Sequence, residues 1–404
     1  MMTNKTTINP NRQPIDLSEE GLMAAAQHQT GLSDWGDLDF LEGLRVLLDA
    51  GQREANLSLV GQRWLQQECI QWLSNRLRIQ ETLKNYPAIL EVPIRRPLFI
   101  ATLPRSGSTF LHTLLAQDRR ARVPLYWELL QPAPPPQAET YTTDPRIAQV
   151  EEQAHREQEL FLGSRAMHVV NATLPEECCY MLKNSFSAFD TTFWYHVPSY
   201  YQWLCEYDLT NTYRYYKKQL QILSFRCPGE PFFLKNPGHL LGLDALLTVF
   251  PDACFVQIHR SPYQQVASLC SLQGKTQNAL RHTPMTPNVI GQVALNRWLI
   301  PLQKAMKVRS EADKSHFYDI HYEDLLADPL ATVAQLYDYF DLALNSETIG
   351  QMQRWLNDNP QHKHGKHKYT LEAFGLSPAL IDETLNDYIK EYLLPDSPKI
   401  RVVL

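Results

Sequence analysis

The chain contains no apolar run approaching the roughly 20 residues needed to span a bilayer. The Met1–Leu17 stretch is polar and lacks an apolar h-region, so no secretory signal is expected. Basic residues are not in excess. With 38 Lys and Arg against 44 Asp and Glu, the net charge is −6, which disfavours non-specific binding to nucleic acid or acidic membranes and disfavours a heparin-like polyanion as partner. The seven cysteines are an odd number and have no C-x-x-C spacing, so neither a disulfide framework nor a zinc site is expected. Cys254 and Cys270 lie in apolar segments and read as small buried hydrophobes. These absences describe a reduced, cytoplasmic protein without internal repeats. What is present is ample apolar content, 44% over 404 residues, enough for one large core or two ordinary ones.

Periodicity divides the chain. Residues 1–35 are polar and are expected to be loosely ordered. Residues 36–95 read as a helical layer. Leu38, Leu41, Leu44, Leu47 and Leu48 form one stripe, and Leu59, Trp64, Ile70, Trp72, Leu73 and Leu77 form a second. An α/β core is expected over 96–345. Its strands are Pro97–Leu103, Pro231–Lys235, Ala253–Ile258 and His316–Ile320, and helices are expected at His239–Phe250, Pro262–Leu272 and Pro329–Tyr339. Alternating strands and helices predict right-handed crossovers and a parallel sheet. A proline-rich connector, Gln131–Pro136, leads into a helical insertion at about 145–220. Its aromatics read mostly as core, with some available to wall a pocket. Residues 346–404 read as a C-terminal helical segment containing the basic stretch His362–Lys368.

The chemistry begins at Pro97–Asp118, PLFIATLPRSGSTFLHTLLAQD. An apolar strand, the tight turn Pro104–Thr109 and a helix with Phe110, Leu111, Leu114 and Leu115 at helical spacing form an anion cradle. Against the Walker pattern G-x-x-x-x-G-K-[ST], Thr102 replaces the first glycine and Ser108 replaces the lysine. Arg105 lies inside the turn instead, and its planar fork suits a terminal tetrahedral oxyanion. The bland alternative is a strand-to-helix turn capped by Ser106 or Ser108. Ligands of open parallel sheets lie beyond the carboxyl ends of the strands. Here those ends carry Arg105, Lys235-Asn236, His259-Arg260-Ser261 and His321-Tyr322-Glu323-Asp324. Cations at three of four ends suggest a ligand with more than one anionic group.

At these residues the chain resembles the sulfotransferases. PRSGSTFLHTLL resembles their 5′-phosphosulfate loop. CFVQIHRSPYQQVASLCSL (254–272) resembles their 3′-phosphate element, with Arg260 at the strand end and Ser268 eight residues on. YWELL (126–130), PEECC (175–179), FLKNPGHL (233–240), HYEDLLADP (321–329) and HGKHKYTLEAFGL (364–376) resemble the bacterial family-3 branch, in the same order. The resemblance implies a three-layer, P-loop-like α/β fold: a parallel sheet flanked by helices, with N-terminal and inserted helical segments. It implies transfer of a sulfonate from 3′-phosphoadenosine 5′-phosphosulfate to a hydroxyl or amine of a small-molecule or lipid-like acceptor, with no metal required. It further implies that Arg105, Ser106, Gly107, Ser108 and Thr109 bind the 5′-phosphosulfate, that Lys235 offsets charge on the leaving phosphate, and that Arg260 and Ser268 bind the 3′-phosphate. Tyr322 is either an adenine contact or a packing tyrosine. Gly365 and Lys366 sit in a basic loop resembling the one that closes over the 3′-phosphate. The alternative for that loop is a metal site, but histidines at i, i+2 and i+5 lack ordinary zinc geometry.

A general base must also be found. Glu128, in the apolar setting Leu125–Leu130, is the first choice, with a structural pair to Arg122 as the competing reading. His168 and His239 are rivals, and Glu176 and Glu177 are candidates for the acceptor pocket. Two other functions fit a nucleotide loop. A P-loop kinase would need a lysine in the turn and a magnesium-binding Asp at a strand end, where this chain has His-Arg. A non-catalytic nucleotide-binding protein would have lost key residues, and none is obviously missing.

Overall fold

A computed structural model describes residues 14–161, 170–359 and 370–394. The candidate residues His168, Gly365 and Lys366 lie outside the described residues.

Four parallel strands form the centre: β1 (Leu98–Ile100), β2 (Phe233–Lys235), β3 (Cys254–His259) and β4 (Phe317–His321), ordered β2-β1-β3-β4. Successive side chains of a strand point to opposite faces. Phe99, Leu234, Phe255 and Phe317 therefore enter one buried cluster, while Leu98, Ile100, Phe233, Val256 and Ile258 enter another. Both faces are covered by helices, so the strands read as continuous apolar runs. The helices Ser108–Leu115 and Pro329–Tyr339 cover the second face through Leu111, Leu114, Val333 and Leu336. The helix Pro262–Leu280 and the N-terminal layer cover the first. This is the expected α/β class.

The differences from the sequence reading have local causes. β1 is shorter than Pro97–Leu103 because side chains take over the ladder: Thr102 Oγ1 donates to the Ile258 carbonyl (2.7 Å) and accepts from the Ile258 N–H (3.1 Å). The helix expected at His239–Phe250 opens as a 3₁₀ turn, Pro237–Gly242, and becomes α-helical only over Leu243–Val249. Asn236 caps that turn by accepting from the Gly238 N–H. The helix from Pro262 runs past Leu272 to Leu280, its buried polar face held by bonds such as Gln277 Nε2 to the Thr192 carbonyl (3.2 Å). The helix Pro329–Tyr339 lies where the periodicity places it.

At the N-terminus, Glu19–Thr30 is a helix within the segment expected to be loosely ordered. Ser18 caps it, accepting from the Gly21 N–H at 3.1 Å, and Leu22 and Ala26 bury against the layer formed by Phe40–Arg53 and Leu59–Asn85. The insertion is helical in pieces: Pro145–Leu160, Cys179–Leu182, Thr191–Trp194, Pro198–Glu206 and Thr210–Ser224. No described helix is long and apolar enough to cross a membrane.

Candidate active site

The turn after β1 departs from ordinary backbone twice. Arg105 has φ +66° and Gly107 φ +92°. A Cβ on Gly107 would lie 3.1 Å from the Tyr322 ring, so glycine serves both the left-handed backbone and the close approach. The helix Ser108–Leu115 starts with Gly107 at its N-cap and no side-chain cap. Neither Ser106 nor Ser108 caps it, so the positive helix end is left for an external anion. This favours the cradle over the simple capped turn.

The strand ends converge on that turn. Arg105 Nε donates to Ser268 Oγ at 3.2 Å. Arg260 Nη1 donates to the Arg105 carbonyl at 2.8 Å, and its guanidinium lies 4.1 Å from the centre of the Tyr322 ring. Ser268 comes round because it sits two turns along the helix that begins at Pro262. Arg105, Gly107, Arg260, Ser268 and Tyr322 thus form one contact cluster, and Tyr322 packs on both Gly107 and Arg260. Arg260 Nε is buried with no hydrogen-bond partner among the described residues. An orphaned cationic donor beside an uncapped helix terminus fits a ligand with two separate anionic groups.

Lys235 closes β2 with its side chain 1% exposed. Its Nζ lies 2.7 Å from Glu177 Oε1, 3.4 Å from Thr109 Oγ1 and 4.0 Å from Glu176 Oε1. Burial disfavours the ammonium, but Glu177 and Glu176 outweigh it and hold the Lys235 pKa above its usual value. A buried cation is therefore retained at the mouth of the loop. Beyond it opens a cavity with Arg105, Ser108, Thr109, Glu176 and Glu177 at its polar end. Phe161, Val170, Phe193, Trp194, Leu272 and Trp298 contribute its apolar walls. Phe193 and Trp194 are the aromatics of the insertion that wall the pocket, while Tyr200, Tyr213 and Tyr216 are core.

Two expected site residues lie elsewhere. Glu128 is fully buried and not in the cavity. Both its oxygens are held by Arg122, through Nη1 to Oε2 at 3.1 Å and Nη2 to Oε1, and Oε2 also accepts from Tyr141 Oη (2.8 Å) and the Leu125 N–H (2.9 Å). Held by four hydrogen bonds and absent from the cavity lining, Glu128 is the structural partner of Arg122. His239 is also core: Nδ1 lies 3.0 Å from Tyr213 Oη, the ring meets Phe99 edge-on, and burial lowers its pKa to about 3.

Among the charged residues that line the cavity without belonging to a motif are Glu157, Asp190 and Arg297. Asp190 Oδ2 accepts from Asn236 Nδ2 at 2.9 Å, and burial followed by Glu177 raises its pKa. Asp190 and Arg297 are each a lone charge in an apolar or aromatic run, SFSAFDTTFWY and VALNRWLI, and that isolation was the available signal.

A parallel sheet whose strand ends build a lysine-less phosphate loop defines a P-loop-like group-transfer enzyme. The family model "Sulfotransfer_3: Sulfotransferase family" matches residues 97–346, and the chain belongs to that family. The chain is similar to the "Omega-hydroxy-beta-dihydromenaquinone-9 sulfotransferase Stf3" of Mycobacterium bovis and of Mycobacterium tuberculosis, at 26% identity over 311 residues, 73% of this chain and 74% of each relative. Among solved structures it resembles sulfotransferase STF1 from Mycobacterium tuberculosis H37Rv, with TM-score 0.83, 33% identity and coverage of 93% of this chain and 100% of that one. It also resembles STF9 from Mycobacterium avium, with TM-score 0.86, 26% identity and coverage of 95% and 99%. The chain is a sulfonate-transferring enzyme.

Proposed function

We propose that the donor is 3′-phosphoadenosine 5′-phosphosulfate and that the acceptor is a lipid-like hydroxyl compound. The observation that carries this reading is the cluster of Arg105, Arg260 and Ser268 beside Lys235, at the mouth of a pocket with apolar walls. Arg105, Ser106, Gly107, Ser108 and Thr109 would take the 5′-phosphosulfate, and Arg260 with Ser268 the 3′-phosphate. Tyr322 supports Arg260 through its ring face. The apolar walls, together with the hydroxylated menaquinone derivative in the relatives' names, support a lipid-like acceptor. Seven unpaired, buried cysteines support a reducing compartment such as the cytoplasm.

The transfer is an in-line displacement. The acceptor oxygen forms a bond to sulfur, and the bond from sulfur to the bridging oxygen breaks with its electron pair going to the leaving phosphate. Lys235 offsets the charge that develops there. Glu177 takes the acceptor proton: it borders the cavity, touches Lys235 and replaces Glu128 in the role of base. As a sulfonate oxygen engages Lys235, the ammonium gains a further anionic partner beside Glu177 and Glu176, and its hold on Glu177 weakens. The carboxylate is then a better proton acceptor.

Adenosine 3′,5′-bisphosphate tests the donor reading. At a hundred times its Kd it should stabilise the protein by about 2.7 kcal/mol, seen as a rise of several degrees in Tm. A rise with ATP and magnesium but none with the bisphosphate would replace this reading with a kinase.

A further inference from the structure

Arg297 stands between the helices Pro287–Asn296 and Leu299–Glu311, is 5% exposed and borders the acceptor cavity. Its Nε donates to Thr192 Oγ1 at 2.7 Å and its Nη2 to the Phe189 carbonyl at 3.2 Å. The guanidinium carbon lies 4.3, 5.0 and 5.4 Å from the ring centres of Phe189, Trp298 and Phe193. These contacts fix the plane of the fork. They leave Nη1 with no hydrogen-bond partner among the described residues, and no described carboxylate lies within ion-pair distance.

Arg76 is also buried, bonded to carbonyls and left with an Nε unpartnered among the described residues, but it has Asp39 at 3.9 Å and does not line this cavity, and three further arginines are treated differently. Arg122, Arg146 and Arg309 are each held by two bonds to one carboxylate: Glu128, Asp144 and Asp319. A desolvated guanidinium with open donors is costly unless something occupies them. Burial lowers the Arg297 pKa to about 10, with Asp190 and Glu177 opposing the shift, so the group stays charged at neutral pH. Asp190 links it to the transfer end, since Asp190 bonds Asn236, the neighbour of Lys235.

We infer that Arg297 reads the acceptor by donating from Nη1 to a second oxygen close to the hydroxyl that receives the sulfonate. The inference rests on the reading of this cavity as the acceptor site. The second oxygen is neutral, a hydroxyl or carbonyl, because a second anion would face Asp190 and Glu177. The acceptor class is thus an apolar chain ending in a diol or hydroxy-carbonyl head, in preference to a plain terminal alcohol.

The test compares 1,2-dodecanediol with 1-dodecanol as acceptors, using labelled donor and the full chain. Wild type should favour the diol by about 10- to 100-fold in kcat/KM, the range for one hydrogen bond to a charged group. Arg297→Met should bring that ratio to within about twofold of one, mainly through KM for the diol, while adenosine 3′,5′-bisphosphate still raises its Tm. Arg297→Lys, which keeps charge but not the fork, should give an intermediate ratio. Equal use of the two acceptors by wild type, or a preference that survives in Arg297→Met, overturns the inference and leaves the acceptor site standing. If wild type sulfonates neither alcohol while the bisphosphate still binds, the lipid-like acceptor reading fails, and the inference with it. Should Arg297→Met not fold, the wild-type ratio and Arg297→Lys still decide.

Discussion

Glu128 and Glu177 are both carboxylates next to apolar sequence, and only their contacts separate them. Glu128 completes a closed buried pair with Arg122. Glu128→Gln should remove the negative partner of a buried guanidinium and lower stability by about 3 kcal/mol in urea unfolding, with kcat of the folded enzyme within a few-fold of wild type. A kcat loss of a hundredfold at intact stability would return Glu128 to the base role. Glu177 is half-buried at the cavity, and Glu176 stays within 4.0 Å of the same ammonium, so Glu177→Gln does not strand Lys235 without a carboxylate. Its kcat should fall by about 10²- to 10⁴-fold while adenosine 3′,5′-bisphosphate still shifts Tm. Parallel loss of turnover and nucleotide binding would make Glu177 a structural partner of Lys235. The sequence ranks Glu128 first, from its apolar setting. Local spacing shows that Glu128 sits in an apolar helix, but the Arg122 fork and Tyr141 reach it through tertiary packing.

At the scale of elements, the turn after β1 carries most of the site. Gly107→Ala would force an alanine into φ +92° and place its Cβ against the Tyr322 ring. Stability should fall by about 1–2 kcal/mol, and the displaced Tyr322 should weaken Arg260, so bisphosphate affinity should fall at least tenfold by calorimetry. Unchanged affinity would mean that Tyr322 and Arg260 act independently of the turn. This region was the most legible in the sequence, because each strand is an apolar run ended by a charge, and parallel topology brings those ends to one rim. The helix Glu19–Thr30 was hidden because only Leu22 and Ala26 of its residues are buried, too few for a clear stripe. Asp190 and Arg297 were hidden because no spacing links them. The insertion and the helix pair after Pro287 meet at the cavity only in the fold.

In the whole molecule, three described imidazoles are buried at the sheet, His112, His239 and His259, and the first two lie in its opposite apolar layers. His112, on the helix Ser108–Leu115, has Nε2 3.2 Å from the Phe233 carbonyl, and burial followed by the Lys235 charge lowers its pKa to about 3. His239 reaches about 3 through burial alone. In the unfolded chain each of these two imidazoles takes a proton near its ordinary pKa of about 6.5; in the folded chain it stays neutral until about 3. The unfolded state therefore binds more protons across that interval. The neutral imidazoles' contribution is fully present above about pH 6.5 and is lost as pH falls toward 3, at roughly 2 kcal/mol each by pH 5. Asp190 and Glu157, both raised by burial, act in the opposite sense as the pH drops, so the total slope mixes signs. Subtraction isolates one group. Urea unfolding of wild type and of His239→Gln at pH 7.5 and pH 5 should show the variant losing about 2 kcal/mol less than wild type over that range, whatever its stability at pH 7.5. Equal losses would mean that His239 takes up its proton in the folded protein, and that the layer between the sheet and the helical insertion admits water.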